Sequence, residues 1–134
     1  MYRALTGMGL VAAVGVVVGF GLGSASGQPA PPGPAGVDLQ MIRTVDAGDN
    51  CPGHVLRMRR VTFAPGASIP MHSHKDHPEV SLVMEGTLTN TVKGQPPEEL
   101  SAGAPVLNGP EVEHLPANKT DKPLVIISVD LIKK

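Results

Sequence analysis

The apolar and polar positions divide this chain into three stretches of different character. Residues 10–22 are almost continuously apolar, residues 27–36 read GQPAPPGPAG, and from residue 37 onward short apolar-rich runs alternate with polar turn residues. Within the third stretch the apolar positions recur with a period close to two, and Gly, Pro, Asn and Asp bound each run, the pattern of β-strands. The runs fall at 39–45, 55–63, 69–74, 80–84, 88–92, 105–107, 112–115 and 124–132. Ala64-Pro65-Gly66-Ala67, Glu85-Gly86, Lys93-Gly94-Gln95-Pro96-Pro97 and Asn108-Gly109-Pro110 separate them, each offering residues that preset φ or permit positive φ. Turn signals about every eight to twelve residues are the spacing of a β-sandwich or barrel. No segment sustains a helical period with caps.

The first two stretches carry no fold of their own. Arg3, the apolar run to Leu22 and the small residues Ser24-Ala25-Ser26 read as an export signal over 1–26, cleaved after Ala25 or Ser26. An uncleaved anchor over 4–22 is the alternative, and it gives the chain its only expected membrane contact. No cysteine ends the apolar run, so a lipoprotein anchor is not expected. Residues 27–36 can form neither helix nor ladder and read as an extended tether. The folded domain is then 37–134, placed outside the cytoplasm, in the periplasm or secreted. Its single cysteine, Cys51, cannot close an internal disulfide. It reads as a half-buried loop thiol, with an intermolecular disulfide or a redox-sensitive site as the alternative.

Composition removes one class of partner. Only 1 Tyr and 2 Phe are present, and Tyr2 and Phe20 lie in the N-terminal stretch, leaving Phe63 as the one aromatic side chain of the domain. A platform that stacks single-stranded nucleic acid needs several rings. With 11 Lys+Arg against 12 Asp+Glu the electrostatic case for nucleic acid also fails.

Four of the 5 histidines follow residue 70. His72 and His74 are two apart on an expected strand, so both imidazoles leave one face. Glu79 opens the next strand beyond Pro78, and His114 lies on a later one. Three imidazoles and a carboxylate form a mixed N/O donor set suited to a divalent transition metal, Fe, Mn, Ni, Cu or Zn, with positions left for water or substrate. His77, between His74 and Glu79, reads as a loop residue, although it could replace Glu79 as a donor. His54 and Glu113 read as ordinary surface positions.

Gly66, His72, His74, Glu79 and Gly86 reproduce G-x5-H-x-H-x4-E-x6-G at every interval, and in this the chain resembles the cupin family. A second family pattern, G-x5-P-x-G-x2-H-x3-N, is met by Gly103, His114 and Asn118, while Gly109 and Glu111 stand at its Pro and Gly positions. The resemblance implies an all-β, antiparallel jelly-roll barrel in a single domain, with a metal held inside by His72, His74, Glu79 and His114. It also implies metal-dependent chemistry of dioxygenase, decarboxylase, isomerase or lyase type on a small organic molecule. A non-catalytic ligand- or metal-binding barrel is the rival reading, because few general acids or bases accompany the metal donors; Ser81, Asn90, Glu85, Glu111 and Glu113 are the candidates.

Two further features bear on partners. Arg57 and Arg59 share one face of the strand before the first motif, and Arg60 the other; they read as a solvated pair, or as an anchor for an anionic substrate if they point inward. On the last strand Val125, Ile127, Val129 and Leu131 share one face, and Leu124, Ile126 and Ile132 share the other with Ser128 and Asp130. The four-aliphatic face is the natural filling of the barrel. The three aliphatics of the opposite face, with Leu39, Met41 and Ile42, then predict a two-fold homodimer through the first and last strands.

Overall fold

The computed structural model describes residues 33–134; the expected export signal, 1–26, and the tether as far as residue 32 lie outside the described residues. Nine strands make up the domain: β1 (Val37–Asp46), β2 (His54–Phe63), β3 (His72–Ser73), β4 (Glu79–Glu85), β5 (Thr87–Val92), β6 (Glu98–Ser101), β7 (Pro105–Asn108), β8 (Glu113–Ala117) and β9 (Leu124–Lys133). A five-stranded sheet runs β1-β2-β9-β4-β7 and a four-stranded sheet β3-β8-β5-β6. Every pairing is antiparallel, and among the described residues there is no helix. Strands adjacent in sequence repeatedly cross from one sheet to the other, the connectivity of a jelly roll.

Sequence-based expectation and structure differ at three places. The strand expected over 69–74 contracts to β3, because Pro70 supplies no ladder donor; the Ser68–Ala117 bridge and the bonds from Ile69 N–H to Pro116 O and from His74 N–H to Val112 O extend the pairing. β6 is additional. Its residues Glu98-Glu99-Leu100-Ser101 carry one apolar side chain, yet they pair with β5, where Thr89 Oγ1 donates to Glu99 Oε1 at 2.7 Å. The third difference concerns which face of β9 looks inward.

β9 turns the face with fewer aliphatics to the interior. Leu124, Ile126, Ser128 and Asp130 are buried, whereas Ile127, Val129 and Leu131 are half-buried on the outside. The reason lies in β2, whose inward side chains Arg57, Arg59, Val61 and Phe63 stand opposite Asp130, Ser128, Ile126 and Leu124 in the ladder. Each interior strand therefore runs from charged to apolar, and the two strands match row for row. β4 continues these rows with Glu79, Ser81 and Val83. Val37, Val61, Phe63, Ala67, Val83, Leu88, Val106, Leu124 and Ile126 close the apolar end as a single core cluster. Burial of each large member contributes about 1.5–3 kcal/mol.

The β4–β5 turn fixes that core against the last strand. Gly86 has φ +82°, and a Cβ there would lie 2.5 Å from Pro123 O, so only glycine permits the approach. Asn118, fully buried, ties three segments together: its Nδ2 donates to Phe63 O, Ala64 O and Lys122 O, and its Oδ1 accepts from Thr120.

Outside, the five-stranded sheet presents a second apolar surface. Met58, Val129, Val80 and Leu107 are successive ladder partners across four strands, with Ile127 and Leu82 in the next row. Val80 is 58% and Leu107 69% exposed, unusual for adjacent aliphatics on one sheet face.

Candidate metal centre

The two sheets enclose a cavity of about 230 Å³. The four-stranded sheet brings His72 and His114 to it as direct ladder partners on β3 and β8. His74 follows β3 and enters from the same side, buried, its N–H held by Val112 O. The donor nitrogens of His72, His74 and His114 all lie within 4.8 Å of one another.

Each imidazole is oriented by an oxygen behind it. His72 Nδ1 lies 2.9 Å from Pro70 O, His74 Nδ1 3.2 Å from His77 O, and His114 Nδ1 2.7 Å from Asn90 Oδ1. These oxygens can only accept, so each Nδ1 carries its ring's proton and each Nε2 is left with a lone pair. The Nε2 atoms of His74 and His114 are nevertheless 3.0 Å apart. Two lone pairs so close repel unless a cation lies between them or one ring is protonated, and protonation is opposed here. Burial, followed by the neighbouring His72 and His74, pushes the His114 pKa down to about 3. His74 is also lowered, first by burial. The donor set therefore fits a transition-metal ion through three Nε2 atoms.

These shifts give the metal-free protein an acid limit. The unfolded chain takes up protons on these rings near pH 6.5, and the folded chain only well below that, so under pH 6.5 the unfolded state binds more protons. Stability is then complete above about pH 6.5 and falls as the pH drops toward 3, by at most about 1.4 kcal/mol per pH unit for each such ring. Urea denaturation in a chelator between pH 7 and pH 5, above the range where exposed carboxylates titrate, checks this slope.

Glu79 lines the same cavity but stands apart from the imidazole cluster. Its Oε2 accepts from Arg59 Nη2 at 3.1 Å, and its Oε1 from Ser81 Oγ at 2.7 Å, with Asn108 Nδ2 farther away at 3.4 Å. Arg57 and Arg59 point inward and meet Asp130: Arg57 Nε and Nη2 donate to its two oxygens at 3.0 and 2.5 Å, and Arg59 Nη2 donates to Oδ2 at 3.0 Å. Of the two readings open for the arginine pair, the solvated one fails because a fully buried aspartate faces it on β9.

Other sequence-selected residues fall into plainer places. The His77 ring lines the cavity 4.8 Å from that of His74, and its carbonyl orients His74. Glu113 pairs with Lys93 at the surface, and Cys51 is a free, half-buried thiol in the turn before β2. Asn90, a candidate acid or base from the sequence, instead orients His114, and Asp130 was not legible as a site residue. A polar residue at every second position of an otherwise apolar strand, Ser128 and then Asp130, was the available signal.

A jelly roll with three imidazoles converging between its sheets defines a class of metal-binding barrel. The family model described as Cupin domain matches residues 59–130, and the chain belongs to the cupin family. Among solved structures, a Cupin 2 conserved barrel domain protein from Salinispora arenicola is 23% identical with a TM-score of 0.56, over 70% of this chain and 74% of that one. A cupin-like protein from Thermotoga maritima is 27% identical with a TM-score of 0.57, over 69% and 66%. An oxalate oxidase is 22% identical with a TM-score of 0.56, covering 80% of this chain and 58% of that chain. No curated protein matches the sequence.

Proposed function

We propose that this protein is an exported cupin that holds one divalent transition-metal ion through His72, His74 and His114, with Glu79 as the fourth donor, and acts as a metal-dependent enzyme on a small organic molecule. The observation that carries this reading is the 3.0 Å approach of two Nε2 atoms whose rings are each tied through Nδ1 to an oxygen acceptor. When bound, such an ion supplies Lewis acidity or an oxygen-activating centre. The chain's own residues do the rest: Pro70 O, His77 O and Asn90 Oδ1 hold the rings, Ser81 Oγ holds the Glu79 carboxylate by Oε1, and the apolar wall of Val61, Phe63, Leu88 and Ile126 excludes water. Oxalate oxidase among the similar structures, whose substrate is a small acid, is consistent with a small-molecule substrate. Isothermal titration of the metal-stripped protein with zinc or manganese is expected to give one site per chain; a stoichiometry below one-tenth for every first-row ion overturns the reading.

The exposed row Met58–Val129–Val80–Leu107 also supports a homodimer, now through the outer face of the five-stranded sheet rather than through the inward face of β9. Light scattering at micromolar concentration is expected to give twice the chain mass, and Val80→Asp to return it to the monomer mass. A wild-type monomer at all concentrations rejects the dimer.

A further inference from the structure

The inner face of the five-stranded sheet holds two neighbouring polar rows, and their hydrogen bonds are unequally complete. In the row Arg57–Asp130–Glu79 the charged groups are partnered, although Asn108 Oδ1, next along that row, is buried without a partner. In the adjoining row, Arg59–Ser128–Ser81, two polar atoms are idle: Arg59 Nε and Ser128 Oγ are buried without a hydrogen-bond partner. Arg59 and Ser128 are direct ladder partners, both line the cavity, and Ser128 is 1% exposed. Leaving such a group unpaired is costly, and interiors rarely tolerate it without a ligand or water to answer it.

Charge selects the ligand. Arg57 and Arg59 are balanced by Asp130 and Glu79 as the structure stands. If Glu79 turns to a metal, two guanidinium groups face one carboxylate, and one positive charge in a low-dielectric cavity is left unanswered. At the other end of the cavity Val61, Phe63, Leu88, Val106 and Ile126 offer no polar side chain. At about 230 Å³ the cavity suits a small ligand rather than an extended one.

We infer that the cavity takes a small monocarboxylate with an apolar tail, its carboxylate accepting hydrogen bonds from Arg59 Nε and Ser128 Oγ and its tail lying against Phe63, Leu88 and Ile126. This rests on the proposed metal centre, since release of Glu79 by Arg59 makes room for the ligand's charge.

Calorimetry on the full-length protein separates the two ideas. Zinc is titrated first, then sodium hexanoate and, separately, hexanamide, which is equal in size but uncharged. The expected result is one zinc per chain and hexanoate at least about tenfold tighter than hexanamide. Arg59→Gln is expected to bring the two ligands to parity while zinc affinity is kept or rises, because a competitor for Glu79 has gone. Ser128→Ala, a small change in a buried strand, is expected to weaken hexanoate about tenfold and serves if Arg59→Gln does not fold. Zinc binding with no preference for hexanoate overturns this inference alone. Absence of zinc binding overturns the metal centre and this inference with it.

Discussion

His114→Ala is expected to lower metal affinity by more than about a hundredfold and to erase the metal-dependent rise in thermal stability. His114 is one of only three imidazoles in the cluster, it is 3% exposed, and its ring is fixed by the 2.7 Å contact to Asn90. Removing only the orienting oxygen costs about 10–100-fold in metal sites of this kind, so Asn90→Ala sets a lower rung, and loss of the ligand itself lies beyond it. At a free metal concentration a hundred times the dissociation constant, the ion stabilises the native protein by about 2.7 kcal/mol. Wild-type protein therefore melts higher with metal than with chelator, and His114→Ala melts at one temperature in both. Metal binding by His114→Ala equal to that of wild type removes this residue from the centre.

Asp130→Ala is expected to be the most destabilising single change in the cavity wall, by about 3–5 kcal/mol, with or without metal. Asp130 is fully buried and receives three hydrogen bonds from two guanidinium groups. Its removal leaves Arg57 and Arg59 facing one another with only Glu79 to answer both. Arg57→Ala should cost less, because Arg59 still bonds to Asp130 and the Arg57 side chain is 23% exposed. Denaturation midpoints in urea, with the slope unchanged, measure both. A loss under 1 kcal/mol for Asp130→Ala would show that solvent reaches the network in a way the burial does not suggest.

The sequence carried the imidazole cluster openly, because convergence on one point demands fixed intervals: His72 and His74 alternate to one side, and β8 returns His114 beside His72. It carried most strands for a similar reason, since a half-buried sheet imposes a period of two. β6 escaped notice because its stability comes from pairing with β5, and Gln95-Pro96-Pro97-Glu98-Glu99 has no apolar alternation of its own. The inward face of β9 was misread by counting aliphatics. Burial of Ser128 and Asp130 depends on what stands opposite, and Arg57 and Arg59 lie some seventy residues earlier in the chain. Asn90 illustrates the same limit in its role: it was legible as a candidate, but not as the residue that orients His114, because that partner lies 24 residues away.

The position of β9 has a consequence for how the chain acquires its structure. β9, the last of the nine described strands, lies in the middle of the larger sheet, with β2 on one side and β4 on the other. Until it is present, those strands have no partner between them, Asp130 is missing from the arginine pair, and Leu124 and Ile126 are missing from the core. The contacts that matter most thus span nearly the whole domain, a topology that folds slowly because long loops close before any reward is collected. The larger sheet therefore cannot close strand by strand in sequence order: β2 and β4 come together only when β9 (Leu124–Lys133) is laid between them.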